Sequence, residues 1–413
     1  MRISLVSQYF APEPAKTSVS VARRMAARGH RVRVVTGFPN YPAGRVYPGY
    51  RQSLSFVEDD EPGVRIRRVP LVPSHSDNGA MRALSYLSFM VTALLGTSFA
   101  RGADVTYVYA SQPTGALAAL VWRALFRTPY VLHVQDLWPE SVTASGMVPS
   151  RAAGLVTRVI GALLRPVYRY AHALVVISPT MRDALVARGV AASRVHVVYN
   201  WSSDETEHRG AAPRAGHPCT VTYAGNLGAV QDLETAVRAA RQVADELPGF
   251  RLLLVGAGTQ AAPLRDLARG LDCVELRDPV PLLEMPSVYA ETTFQLVPLK
   301  AVDLHGAIPS KLQSSLAAGL PVVCSAPGAA SSLVADAQAG FVVPPGDVEA
   351  LADAFRQAYA CTPEQHERFA SNARTYYLAH LSAAAGVARL ERVLASALDP
   401  RPRHAPGRED DLR

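Results

Sequence analysis

Lys311 lies in HGAIPSKLQSSLAAGLPVV (His305–Val323), in the first turn of a helix that Pro309 enters and Ser310 can cap. The first turn carries the positive end of the helix dipole, so a lysine there is misplaced unless it faces an anion. The mismatch points to phosphate. Two glycine turns in the same half point the same way. In TYAGNLG (Thr222–Gly228), Gly225 and Gly228 let the backbone approach a ligand, and a helix beginning near Asp232 offers its N-terminus. LVGAG (Leu254–Gly258), with Gly256, is the second strand-end turn. Read on as GAGTQA it lacks the third glycine of a dinucleotide fingerprint, which counts against a nicotinamide oxidoreductase.

The first half carries different chemistry. QYFAPEPAKTS joins a strand to a helix, and Lys16 sets a charge beside the free backbone N–H groups of such a junction. HVQDLWPES (His133–Ser141) ends a buried strand and groups His133, Asp136 and Glu140, residue types suited to acid–base work or to orienting a substrate. Trp138 adds a flat surface for a sugar or a lipid. Each feature has a plainer reading: a surface lysine, a tight turn, a satisfied core histidine.

Bringing these segments together requires a scaffold, and the chain spells one out. Short β-branched runs alternate with helix-length segments throughout, the pattern of parallel α/β units. Residues 1–199 form a first Rossmann-like domain. The polar stretch 200–218, rich in Pro, Gly and charge, is a linker, and 219–380 repeat the alternation. A C-terminal helix, 381–398, is expected to pack back on the first domain, before a loose tail, 399–413. Two such domains in series can point their binding loops into a cleft between them.

Composition narrows the rest. With 413 residues, 49% hydrophobic and 19% charged, the chain is neither collagen-like nor disordered. Its four cysteines form no CxxC pair, which fits a reduced cytoplasmic enzyme better than a disulfide scaffold or a zinc ribbon. The apolar run Ile3–Val6 is too short for a signal peptide, and Leu84–Ala100, uncharged but broken by Ser, Thr and Gly, sits at the bottom of the spanning range. Residues 1–200 hold 23 Lys+Arg against 10 Asp+Glu, a balance of +13, and the remainder is −6. A basic first half implies an anionic partner. The scattered arginines lack the patterns of nucleic-acid readers, so an anionic membrane surface or a phosphate-bearing substrate is expected instead.

QYFAPEPAKTSVSVARRMAARGHRVRVVTGFPNYPAG, HVQDLWPES, VVISP, YNW, YAGNLG, LVGAG and IPSKLQSSLAAGLPVV together resemble, in order and nearly end to end, family 4 glycosyltransferases of the GT-B fold. The resemblance is close to the bacterial polysaccharide enzymes of the fucosamine-transferase type. The resemblance implies two Rossmann-like parallel-sheet domains facing each other across a cleft. It also implies retaining, metal-independent transfer from a UDP- or GDP-linked sugar to an acceptor on a polyprenyl-diphosphate carrier. The second domain would hold the donor through Gly225, Asn226, Gly228, Gly256, Ser310, Lys311 and Ser314, with Lys16 contributing from the first domain. His133, Asp136 and Glu140 would line the catalytic cleft. No cofactor is implied, and the enzyme would work in the cytoplasm, peripherally at the inner face of the cell membrane.

The chain departs from the broad family in three places. Asn226 and Gln231 stand where Arg and Lys are usual, Gly306 and Ser314 where a pair of glutamates is usual, and Lys16 where a glycine is common. Neutralising the donor phosphates then falls to Lys311, helix N-termini and Lys16. A catalytically silent sugar-nucleotide-binding subunit and a nucleotide-sugar epimerase on the same fold are the competing functions.

Overall fold

Alternating β-branched and amphipathic segments build two largely parallel sheets in the computed structural model. It describes all residues except 55, 61, 75–78, 141–149, 203–207, 209, 213–218, 302–305, 307 and 400–413. The first sheet draws on β1 (Arg2–Val6), α1 (Lys16–Ala27), β2 (Arg31–Gly37), β3 (Phe56–Asp59), β4 (Val64–Val69), α2 (Gly79–Thr92), β5 (Val105–Ala110) and α3 (Ala116–Phe126). It continues through β6 (Tyr130–Val134), α4 (Ser150–Tyr170), β7 (Ala173–Val176), α5 (Pro179–Ala187) and β8 (Val195–Val197). Its strand order is β3-β4-β2-β1-β5-β6-β7-β8. β3 alone among the registered pairs runs antiparallel, against β4. Its FVED run mixes apolar and acidic residues at a sheet edge, which is why alternation did not single it out.

The second sheet comprises β9 (Cys219–Ala224), α6 (Leu233–Val243), β10 (Phe250–Val255), α7 (Ala261–Leu267), β11 (Val274–Arg277), α8 (Met285–Glu291), β12 (Phe294–Pro298) and α9 (Ser310–Ala318). β13 (Val322–Ser325), α10 (Ala329–Ala337), β14 (Gly340–Val343) and α11 (Val348–Tyr359) complete it, followed by α12 (Pro363–Tyr376) and α13 (Ala383–Ser396). Its order, β11-β10-β9-β12-β13-β14, is the 3-2-1-4-5-6 order of a doubly wound sheet. Connections leave β9 toward one edge and β12 toward the other, so the carboxyl ends of these two strands flank the switch point where ligands bind. In α6, Leu233, Ala236, Val237, Ala240 and Val243 repeat at helical spacing and are buried on the sheet, each large one contributing on the order of 2 kcal/mol.

Contact density divides the chain into two units, Met1–Val175 with Ala388–Arg413, and Val176–Val387. The sequence reading ends the first domain at residue 199, whereas this division falls within the last residues of β7. The C-terminal helix carries Glu391, which accepts from Arg28 Nε at 2.8 Å and meets His30 Nε2 at 2.7 Å within the first unit.

A serine or threonine near a helix start is a capping candidate, as Ser310 is above, but neither α1 nor α9 uses one. α1 begins at Lys16, with Ala15 as its N-cap and no side-chain cap; Ser18 Oγ instead donates to the carbonyls of Tyr9 and Ala15. Pro309, not Ser310, occupies the N-cap of α9, again with no side-chain cap. The segment read as one apolar helix, 84–100, is α2 followed by a 3₁₀ turn, Ala93–Gly96, and a single turn, Thr97–Ala100. Gly96 there passes so close to β2 that a Cβ would lie 2.6 Å from Val35 Cγ2. By length and composition alone Gly79–Ala100 is long and apolar enough to cross a membrane.

The loop after β1 is held by Arg68 of β4, which is 1% exposed. Its Nε donates to Glu58 at 2.6 Å, and its Nη atoms donate to the carbonyls of Gly37 and Ala11. Replacing Arg68 with Met orphans two carbonyls and strips charge from beside Glu13. Arg68→Met should therefore lower the unfolding free energy by about 3 kcal/mol in a urea titration.

Candidate functional site

At the carboxyl ends of β9 and β10 the second unit encloses a cavity of about 450 Å³. Gly225 and Asn226 line it from the turn after β9, Gly256 from the turn after β10, and Ser310, Lys311 and Ser314 from α9. Met285 and Tyr289 of α8 close another side. α8 is steadied by Glu291, which pairs with Arg251 at 2.7 Å and with Arg277.

The glycines work first as spacers. Gly256 has φ +153°, and a Cβ on it would fall 1.8 Å from the carbonyl oxygen of Gly225. Gly225 has φ +141°, and a Cβ on it would fall 2.2 Å from Lys311 Cε. Only because residue 225 lacks a side chain can the lysine stem lie across the end of β9. Lys311 Nζ then sits 4.9 Å over the ring of Tyr223, whose hydroxyl donates to the Asn226 carbonyl at 2.7 Å. Burial pushes the Lys311 pKa down, and among the described residues no carboxylate pairs with it. A half-buried cation over a π face, with no carboxylate among the described residues, is poised for an anionic ligand.

Gly225, Asn226, Gly256, Ser310, Lys311 and Ser314 are thus gathered at one cavity. Gly228 lies just beyond its lining, where a Cβ would meet Gln231 Oε1 at 2.6 Å. Ser314 Oγ shares a 3.2 Å hydrogen bond with Ser202 Oγ. Gly306 has φ +80°, and a Cβ there would come within 2.8 Å of Ser178 Oγ, so a glutamate would be strained and would have to displace that side chain. His305 lies outside the described residues.

The cavity also holds a residue that sequence reasoning missed. Gln295 of β12 lines it, is 3% exposed, and its Oε1 is buried without a hydrogen-bond partner. Its signal was an amide inside the apolar run TTFQLVP, since a buried polar group demands a partner.

The other sequence-predicted residues belong to the first unit. Lys16 is exposed at the start of α1. The backbone donors near it are partly used up by the buried Glu13, whose carboxylate accepts N–H groups of Phe10 at 3.1 Å, Asn40 at 2.7 Å and Tyr41 at 2.8 Å. Burial nonetheless raises the Glu13 pKa. Asp136 is exposed and Glu140 partly buried beyond β6, and Trp138 meets Tyr86 of α2 edge-on at 6.0 Å. His133 is fully buried within β6 and contacts the Tyr107 hydroxyl through Nδ1 at 2.6 Å. Burial lowers its pKa to about 3. With Tyr107 donating, the neutral imidazole carries its proton on Nε2, which has no partner.

Residues 14–201 match the family described as glycosyl transferase 4-like domain, and residues 218–361 match glycosyl transferases group 1. The chain is 26% identical over 378 residues to WcaI of Escherichia coli K12, a glycosyl transferase named for colanic acid biosynthesis. That alignment covers 87% of this chain and 92% of WcaI. AmsK of Erwinia amylovora, an amylovoran biosynthesis glycosyltransferase, is 29% identical over 185 residues, covering 43% of this chain and 45% of AmsK. Among solved structures, Anabaena HepE in complex with UDP superposes with a TM-score of 0.66 at 15% identity. That superposition covers 96% of this chain and all of HepE.

Two outcomes follow from this geometry. Gln295→Leu should leave the fold intact and weaken nucleotide binding about tenfold by calorimetry, a loss of about 1.4 kcal/mol. Because the folded-state pKa of His133 is depressed, its contribution to stability is present above about pH 6.5 and drains away as pH falls toward 3. His133→Gln should remove roughly 2–4 kcal/mol of that acid-side loss in denaturation curves measured across this window.

Proposed function

The chain belongs to the glycosyltransferases whose halves are described as the glycosyl transferase 4-like domain and glycosyl transferases group 1, with the GT-B fold, and from this premise we propose retaining transfer of a hexosyl or N-acetylhexosaminyl group from a UDP- or GDP-linked donor to a polyprenyl-diphosphate-linked glycan. Relatives named for colanic acid and amylovoran biosynthesis support a role in surface polysaccharide assembly, and HepE with UDP supports the donor class. The observation that carries the reading is the Lys311 ammonium in the switch-point cavity of the second unit, without a carboxylate partner among the described residues.

During transfer the bond from the anomeric carbon to the terminal phosphate oxygen breaks, and the acceptor oxygen bonds to the same face of that carbon. The acceptor's proton passes to the departing phosphate oxygen, so no strong base is needed. Negative charge grows on the diphosphate. Lys311 and the uncapped first-turn N–H groups of α9 stabilise it where it develops, which is the basis for reading the reaction as metal-independent. Asn226 and the backbone at Gly225, Gly228 and Gly256 hold the diphosphate's flank, and Ser310 and Ser314 the donor's ribose or sugar. Asp136 and Glu140, just beyond β6, orient a substrate hydroxyl, while the neutral His133, fully buried within β6, holds that strand end in place. A lipid-linked acceptor places the enzyme peripherally on the cytoplasmic face of the cell membrane, against anionic lipid.

A second reading is favoured by Gly306, where the usual acid would be strained: a subunit that binds the sugar nucleotide without transferring it. Turnover of a labelled donor by the purified chain eliminates that reading. For the main reading, UDP should raise the melting temperature of the wild-type protein. Lys311→Met should weaken UDP at least tenfold while leaving the ligand-free protein no less stable, because a half-buried ammonium without a carboxylate among the described residues is lost. Unchanged UDP affinity would overturn the charge assignment.

A further inference from the structure

Four aromatic rings gather where the first sheet should bind a ligand. Connections leave β1 toward one edge of that sheet and β5 toward the other, so its switch point lies between the carboxyl ends of these two strands. Tyr9 follows β1, Tyr41 follows β2, Trp138 follows β6, and Tyr86 comes from α2. The rings of Tyr9 and Tyr41 lie 5.3 Å apart, and those of Tyr86 and Trp138 lie 6.0 Å apart. Gln8 joins the two pairs. Its Nε2 donates to the Tyr9 hydroxyl at 3.4 Å and to Ser85 Oγ, beside Tyr86, at 3.3 Å. Gln112, just beyond β5, donates in turn to Gln8 Oε1, and both amides are buried.

This set differs from the core aromatics of the same unit. Tyr107, Trp122 and Tyr130 are fully buried, whereas all four of these rings remain partly in solvent. Contiguous apolar faces left in water at a switch point mark a binding surface. Polar groups flank them. Asp136 is exposed and Glu140 partly buried, on either side of Trp138 in the chain. Burial raises the Tyr86 hydroxyl pKa, Arg82 lowers it and Asp136 raises it, so both charges lie within electrostatic reach of that ring.

A sugar ring complements this set. Its C–H face covers a flat aromatic, and its edge hydroxyls donate to a carboxylate. An isoprenoid chain would cover the rings but offers Asp136 no donor, and its phosphate would meet carboxylates of like sign. We propose that Tyr9, Tyr41, Tyr86 and Trp138 form a shelf on which sugar rings of the acceptor stack, with Asp136 accepting hydroxyls at its edge. The shelf rests on the reading that a glycan is the acceptor, and it adds an order of events. The acceptor must already carry sugar, so an earlier transfer of a first sugar to the bare carrier has to supply this substrate.

The test is binding of the full-length protein to immobilised mono- to tetrasaccharides of glucose, galactose, fucose, glucuronate and N-acetylglucosamine. The strongest binder is then titrated by calorimetry, with farnesyl phosphate as the isoprenoid competitor. Wild type should bind saccharide, and farnesyl phosphate should not displace it. Trp138→Leu and Tyr86→Leu keep apolar bulk without a flat face and should each lose about tenfold in affinity. Trp138→Phe should retain most of it. UDP affinity and melting temperature should be unchanged in all three. Asp136→Asn should lose about fivefold, and Leu283→Ser, on the second unit, should behave as wild type. Wild-type protein that binds no saccharide, leucine variants that bind as tightly as wild type, or displacement by farnesyl phosphate would overturn the shelf. Saccharide binding that depends on Trp138, in a protein that turns over no sugar nucleotide, upholds the shelf and overturns the transferase reading alone.

Discussion

The second unit is organised around one costly placement, an ammonium held partly out of water with an aromatic face beneath it and no carboxylate among the described residues. Burying such a charge is unfavourable unless something compensates. The surrounding geometry makes room for the lysine. Residue 225 has no side chain, so the lysine stem can cross the end of β9. Residue 256 has none either, so the two strand-end turns can close on each other. Tyr223 is fixed by its hydrogen bond to the Asn226 carbonyl and offers its face to the ammonium. The uncapped start of α9 adds backbone dipoles of the same sign. Positive potential therefore accumulates where a diphosphate would neutralise it, and the protein without ligand bears the cost.

The first unit solves the corresponding problem differently. The strand-to-helix junction after β1 resembles an anion cradle, but the chain supplies its own anion. Glu13 accepts three backbone N–H groups, and Arg68 sits behind the loop in a buried set of hydrogen bonds. Among the described residues the second unit thus leaves the Lys311 cation without a carboxylate, whereas the first fills its β1 loop with Glu13 and Arg68.

Much of this was legible in the residues. The alternation of β-branched runs and helical segments announced two parallel-sheet domains, because period 2 and period 3.6 patterns report burial directly. Lys311 could be singled out because its charge contradicts the dipole of its own helix, and the strand-end glycines because glycine has few other reasons to follow a buried strand. Gln295 was also within reach, as an amide in an apolar run. Ser310 is not the N-cap of α9: a serine near a helix start is a capping candidate wherever it falls, while the backbone angles select Pro309. β3 escaped because an edge strand has little burial to pattern it.

What the sequence determined by itself is the set of elements and the chemical identity of the candidate groups, since both follow from local spacing and residue type. Tertiary structure alone decided which groups share a cavity. Gly225, Gly256 and Lys311 are far apart in the chain, and only the 3-2-1-4-5-6 strand order brings the ends of β9 and β10 to the start of α9. The same packing buried His133 between Tyr107 and Tyr109, depressing its basicity. Strand order, and with it the choice of residues that share a cavity, is a collective property of the folded chain, so no local pattern could reveal it.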